Sequence, residues 1–90
     1  MDLVIKDPEK IVEIAKVLSS TTRFKIIHLL KDKEMTISDL ADEIRQTQAN
    51  TSAQIKMIEN VGLMANKYEP GDHGVKKLCK TKVSRIIIEI

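Results

Sequence analysis

Ninety residues, 42% of them hydrophobic but only Phe24 and Tyr68 aromatic, fit one domain with an aliphatic core. The single Cys79 excludes an intrachain disulfide and any cysteine-pair zinc site, and no apolar run reaches the ~18 residues of a membrane span. The net charge of +2 is unevenly spread: residues 1–44 carry seven basic against nine acidic side chains, whereas residues 45–85 carry eight against three, so one half suits a polyanion.

The N-terminus lacks the basic start and long apolar stretch of a signal peptide, so the expected setting is cytoplasmic, with no membrane contact. Leu3-Val4-Ile5 reads as a short extended arm. Asp7-Pro8 starts a first helix, with an N-cap acceptor followed by proline at the first helical position. Ile11, Ile14, Ala15 and Leu18 follow at helical spacing, and Val12 and Val17 widen the stripe. So broad a face fits either a helix shared between its own domain and a second subunit or one buried in its own core.

Ser20 is the expected N-cap of a second helix, with Phe24, Ile26, Ile27 and Leu30 buried and Arg23 a surface or structural ion-pair residue. Lys31-Asp32-Lys33-Glu34 is a polar loop. Thr36 caps a third helix with Asp39 three residues on, close to a capping box. Ile37, Leu40, Ala41 and Ile44 line its buried side, and Asp39, Asp42 and Glu43 make its outside acidic. After the short connection Arg45-Gln46-Thr47, Thr47 caps a fourth helix that runs to about Val61 on a buried stripe of Thr51, Ile55 and Ile58. Gly62 stands where a helix takes a left-handed terminator.

Leu63 to Glu69 and Val75 to Lys80 read as two strands joined by a loop of about five residues, Pro70 to Gly74. The basic side chains of this hairpin suit an exposed wing. Residues 83–90, with three consecutive isoleucines, favour a strand, a short helix being the rival. The tail is too apolar for water, so either a second subunit covers it or the natural chain continues past Ile90.

Helix, short turn, helix, Gly and hairpin, in that order from residue 36 to 80, specify an α+β, mainly helical chain: a winged helix-turn-helix with about four helices, a hairpin wing and a C-terminal apolar strand. The exposed side of the fourth helix carries Gln48, Asn50, Ser52, Gln54 and Lys56, short hydrogen-bonding groups suited to base edges in a major groove. Thr47 and the helix N-terminus offer donors to a phosphate, and Ala49 and Ala53 allow close approach to a thymine methyl.

Residues 18–64 resemble the arsenical-repressor (ArsR-type) family of regulators. The similarity rests on Leu18-Ser19-Ser20-Thr21-Thr22-Arg23-Phe24-Lys25-Ile26-Ile27, on Ile37-Ser38-Asp39-Leu40-Ala41-Asp42-Glu43-Ile44, and on the ungapped stretch Gln48 to Met64. The resemblance implies a homodimeric bacterial or archaeal repressor that binds double-stranded DNA. Helix 47–61 would read bases. Hairpin 64–80 would hold phosphates, with His73 near its tip and Lys76 and Lys77 on its return. The first and last elements, with Ile11, Val12, Val17, Ile86 and Ile88, would form the dimer contact.

The chain departs from the family pattern in several places. Arg45 replaces the usual turn glycine, so either its backbone is strained or the turn has another shape. Gln46 replaces an aliphatic residue, and Thr21 a proline. The cysteine pairs and His/Asp clusters of the metal-sensing members are not visible. His28 reads as a packing or surface residue and Cys79 as a small strand hydrophobe. No catalytic set, metal or cofactor is expected, and no effector is written in the residues. Two alternatives share the fold. One is a docking module that binds an unlike partner through the tail and first helix. The other is an RNA binder, which the scarcity of aromatics disfavours.

Overall fold

The computed structural model describes residues 1–90. Strand β1 (Asp2–Ile5) leads into helices α1 (Pro8–Leu18) and α2 (Thr21–Leu29). A two-residue strand β2 (Met35–Thr36) precedes α3 (Ile37–Ile44) and α4 (Gln48–Asn60). The hairpin β3 (Lys67–Gly71) and β4 (Gly74–Cys79) follows, and β5 (Arg85–Ile88) completes the chain. The order is that of a winged helix-turn-helix, as the sequence predicts.

Each helix starts where an oxygen-bearing side chain accepts an otherwise unpaired N–H three residues on. Asp7 takes the Lys10 amide, Ser20 that of Arg23, Thr36 that of Asp39 and Thr47 that of Asn50, at 3.0–3.3 Å. The helix ends are closed by different means. In α3 the Arg45 N–H bonds Asp42 O and the Gln46 N–H bonds Ala41 O, with Arg45 itself in the left-handed region at φ 58°. The strained alternative for this turn is therefore the one adopted. Gly62, at φ 80°, closes α4 in the same manner without that cost, and the Lys10 ammonium bonds Val61 O at 3.0 Å. At the end of α2, the buried Thr81 donates its hydroxyl to Ile27 O at 2.8 Å and its N–H to Leu30 O at 3.1 Å.

The left-handed Arg45 gives a direct test. Arg45→Gly relieves a backbone penalty of about 1–2 kcal/mol, partly offset by the greater freedom of glycine in the unfolded chain. The expected net gain of about 0.5–1 kcal/mol raises the melting temperature by a few degrees. A lower melting temperature would show that the turn is not strained.

The core gathers Ile14 and Val17 of α1, Ile26, Ile27 and Leu30 of α2 and its cap, Leu40 and Ile44 of α3, and Ile55 and Ile58 of α4. Ile5, Val61, Leu63, Cys79 and Val83 close it from the strands and loops. Four expectations shift. Ala15 is exposed, because α1 buries the line through Ile14 and Val17. Val17 thus belongs to its own core rather than to a second face. Phe24 is 53% exposed: α2 centres its buried face on Arg23, Ile26 and Leu30, and at about 100° per residue Phe24 lies far round from that centre. Its ring instead stacks on His28, centroids 6.4 Å apart. Finally, Met35 and Thr36, just beyond the expected polar loop, pair with Cys79 and Leu78 as β2, a strand not expected from the sequence, while Thr36 still caps α3.

The wing is the sheet β2-β4-β3. Its tip is tighter than the five-residue loop expected. Pro70 pairs with Val75 and Gly71 with Gly74, which leaves only Asp72 and His73 between the strands. Gly74 at φ 109° permits so short a connection. The buried Leu63 and partly buried Met64 precede the hairpin, with only an isolated bridge from Met64 to Thr81. The tail is a strand, not a helix. β5 pairs in parallel with β1, Asp2 beside Arg85 through to Ile5 beside Ile88, as a separate two-stranded sheet.

Candidate nucleic-acid interface

Two features position α4: the turn at Arg45 and the packing of Thr51, Ile55 and Ile58 into the core. Thr51 serves there despite its hydroxyl because that group donates to Thr47 O at 2.8 Å. The opposite side presents Ala49, Ser52, Ala53 and Lys56, all exposed and on one face at helical spacing. Lys56 makes no ion pair. Thr47 and Gln48 are exposed at the helix start, where Gln48 Nε2 donates to Ser38 Oγ of α3 at 3.4 Å. The first N–H groups of α4 and its positive dipole end are therefore on the same exposed surface.

Asn50 is placed differently. It is half-buried and its amide is committed within the chain. Nδ2 donates to Gln46 Oε1 at 2.7 Å, and Oδ1 accepts from Gln54 Nε2 at 3.4 Å. Gln54 Oε1 in turn accepts from Arg23 at 3.0 Å. The Arg23 guanidinium also donates to Val17 O and Lys16 O in the last turn of α1, each at 2.9 Å. A line of hydrogen bonds thus runs from Gln46 along α4 to Arg23 and the end of α1. Arg23 is structural, as expected, but through carbonyls and an amide rather than an ion pair. Its only sequence signal was its place one turn before Ile26 and Ile27, which by itself does not separate a half-buried, structural guanidinium from a free surface one.

The wing sorts its cations. Lys77 forms an ion pair with Glu59 of α4. Burial pulls its ammonium down, but the hydrogen bond and charge of Glu59 outweigh burial and hold it above the usual lysine value. The pair fastens β4 to α4 and leaves Lys77 largely neutralised. Lys67 is likewise taken up by Glu34 and Glu69, each 3.2 Å away, which raise it above its ordinary range. Lys76 and the tip residue His73 are exposed, and Lys76 makes no ion pair.

Of the residues read as dimer contacts, Val17 is 5% exposed and buried in its own core. Ile11 and Ile86 are half-buried against that core, while Val12 and Ile88 remain 52% and 41% exposed. No helix is long and apolar enough to cross a membrane.

A family model described as bacterial regulatory protein, arsR family, matches residues 20–65, and the chain belongs to that family. It carries the DNA-binding domain of a transcription regulator; the family is not one of enzymes. A curated relative, the cadmium resistance transcriptional regulatory protein CadC homolog of Staphylococcus aureus, is 29% identical over 69 residues. These are 76% of this chain and 57% of the relative, so the chain spans little more than half the relative's length. Among solved structures, HlyU from Vibrio cholerae superimposes with a TM-score of 0.73 at 18% identity, covering 84% of this chain and 78% of its own. NolR from Sinorhizobium fredii gives 0.76 at 14% identity, covering 84% and 72%. The homodimeric winged helix-turn-helix DNA-binding domain Mb0332 from Mycobacterium bovis gives 0.72 at 19%, covering 81% and 64%. At these identities the likeness is one of fold.

The cadmium in the relative's name finds no matching donor set in this chain. Its one cysteine is fully buried, and burial pushes the thiol above its ordinary range. No three His, Cys, Asp or Glu side chains gather in a cluster.

Proposed function

We propose that the chain acts as a homodimer, binds double-stranded DNA sequence-specifically and represses transcription. Residues 1–90 form a single DNA-binding domain in this reading, with the helix-turn-helix at 36–61, the wing at 63–80 and the tail at 81–90 as a contact region. The observation that carries the proposal is the uncommitted face of α4, Ala49, Ser52, Ala53 and Lys56, together with the exposed, unpaired Lys76 of the wing. Ser52 and Lys56 reach base edges and phosphates, the two alanines admit a thymine methyl, and Thr47 and Gln48 bring the helix start to a phosphate. His73 and Lys76 follow the backbone beside the groove. Asn50 and Lys77, both tied within the chain, position these groups rather than touch DNA. The Mycobacterium bovis neighbour, described as homodimeric, supports the dimer.

Footprinting with DNA from the upstream region of its own gene tests this reading. Protection is expected over two half-sites about one helical turn apart, with affinity falling steeply as salt rises. Lys76→Glu is expected to weaken binding about tenfold or more while leaving the melting temperature unchanged. A promoter fusion is expected to gain expression when the protein is absent. Binding that ignores salt, or a Lys76→Glu variant that binds like the parent, counts against the proposal.

A further inference from the structure

The sheet of β1 and β5 is unusual in having only two parallel strands. Alternation along the strands sorts its side chains into two rows. The core-facing row holds Leu3 and Ile5 beside Ile86 and Ile88. The outer row holds Asp2, Val4 and Lys6 beside Arg85, Ile87 and Glu89. Within the chain the outer row is already charge-matched: Arg85 pairs with Asp2, and Lys6 lies 3.6 Å from Glu89.

The two edges of this sheet differ. On β1 the core-facing row is covered, Ile5 being 4% exposed. On β5 it is covered only in part: Ile86 is half-buried against the core, yet Ile88 in the same row remains 41% exposed. An apolar trough of about 290 Å³ runs beside β5, lined by Phe24, Ile27, Val83, Ser84 and Ile86 among others. Of β5 only Arg85 and Ile86 line it, and no residue of β1 does, so it lies beside the start of β5 and apart from β1. An unpaired strand edge is a template for another strand. The sequence of β5 also fits its own reverse: Arg85-Ile86-Ile87-Ile88-Glu89 has a base at one end, an acid at the other and apolar residues between.

We infer that two copies of this chain join edge to edge through β5, antiparallel and centred on Ile87. This rests on the homodimer reading above and specifies its contact. Arg85 then faces the partner's Glu89, and Ile86 faces the partner's Ile88. The partner's Ile90 comes opposite Ser84, where it enters the trough beside the exposed Phe24. The two sheets become one four-stranded sheet with both cores on the same side. Every charge at the seam has an opposite neighbour, and the exposed isoleucines are covered.

Charge exchange across the seam tests the register. In Arg85→Glu both seam pairs become acid against acid, and in Glu89→Lys both become base against base. Each variant is expected to raise the dimer dissociation constant about tenfold or more in sedimentation. An equimolar mixture of the two places opposite charges at both positions, so heterodimers are expected to form with affinity near that of the parent. Ile88→Asp, at a site already exposed, is expected to give a folded monomer by circular dichroism even if either charge variant misfolds. Val4→Asp on the outer face of β1 is expected to leave association unchanged. A parent dimer that none of the β5 substitutions weakens, or a mixture that fails to recover, overturns the β5 seam and leaves the homodimer standing. A parent that is monomeric at micromolar concentration overturns both.

Discussion

Arg23→Ala is expected to destabilise the domain by about 3 kcal/mol, a large share of the roughly 5–15 kcal/mol typical of such a fold. The guanidinium holds two carbonyls at the end of α1 and the side-chain amide of Gln54 on α4. Hydrogen bonds to a charged donor are worth about 1.5–3 kcal/mol each, less when they share one side chain, and truncation strands carbonyls that are partly removed from water. Thermal melting checks this, with an expected fall of about 10 °C or more. Arg23→Lys is expected to recover only part of the loss, because a single ammonium does not span the fork from α1 to α4. DNA affinity should fall beyond the loss of folded protein, since Gln54 and Asn50 lose their tie to the end of α1. A variant melting within a degree of the parent would remove Arg23 from the framework.

Lys56→Glu is expected to do the reverse: little change in stability, within about 0.5 kcal/mol, and a large loss of DNA binding. Lys56 is exposed, makes no ion pair and lies on the same face as Ala49, Ser52 and Ala53. In a dimer the change places two acids against the duplex where two bases stood. A loss of about a hundredfold or more is expected, and Lys56→Ala should lower the salt slope by about two per dimer if each lysine meets a phosphate. Titration of labelled operator at several salt concentrations measures both. An unchanged slope would mean that this face does not meet the backbone.

The helical half of the fold was legible because its signals are local. Asp7, Ser20, Thr36 and Thr47 each cap the helix they were read to cap. Gly62 ends α4 in the left-handed conformation its place suggested. The stripes of α3 and α4 were likewise visible as periodicity. What escaped depends on partners distant in sequence. Phe24 was read as buried because an aromatic near Ile27 looks like core, and the helical phase set by the buried Ile26 and Leu30 turns it outward. β2 is too short to register as a pattern and exists because Leu78 and Cys79 lie beside it. In the candidate site, the polar face of α4 was legible as composition. Its division into committed and free groups was not: Asn50 and Ser52 are similar as types, and Lys76 and Lys77 are identical. What separates them is whether Gln46, Gln54 or Glu59 stands within reach.

The ion pair between Lys77 and Glu59 makes wing and α4 two jaws of one caliper rather than two independent contacts. The gap between the jaws is fixed by a strand and a helix, neither of which stretches. A duplex that engages both must present its groove and flanking backbone at that spacing, and one that does not must bend or narrow to meet it. The energy of that deformation depends on base steps that no side chain touches. Selectivity would therefore extend to bases between the jaws, set by the stiffness of the DNA rather than by its hydrogen-bonding edges.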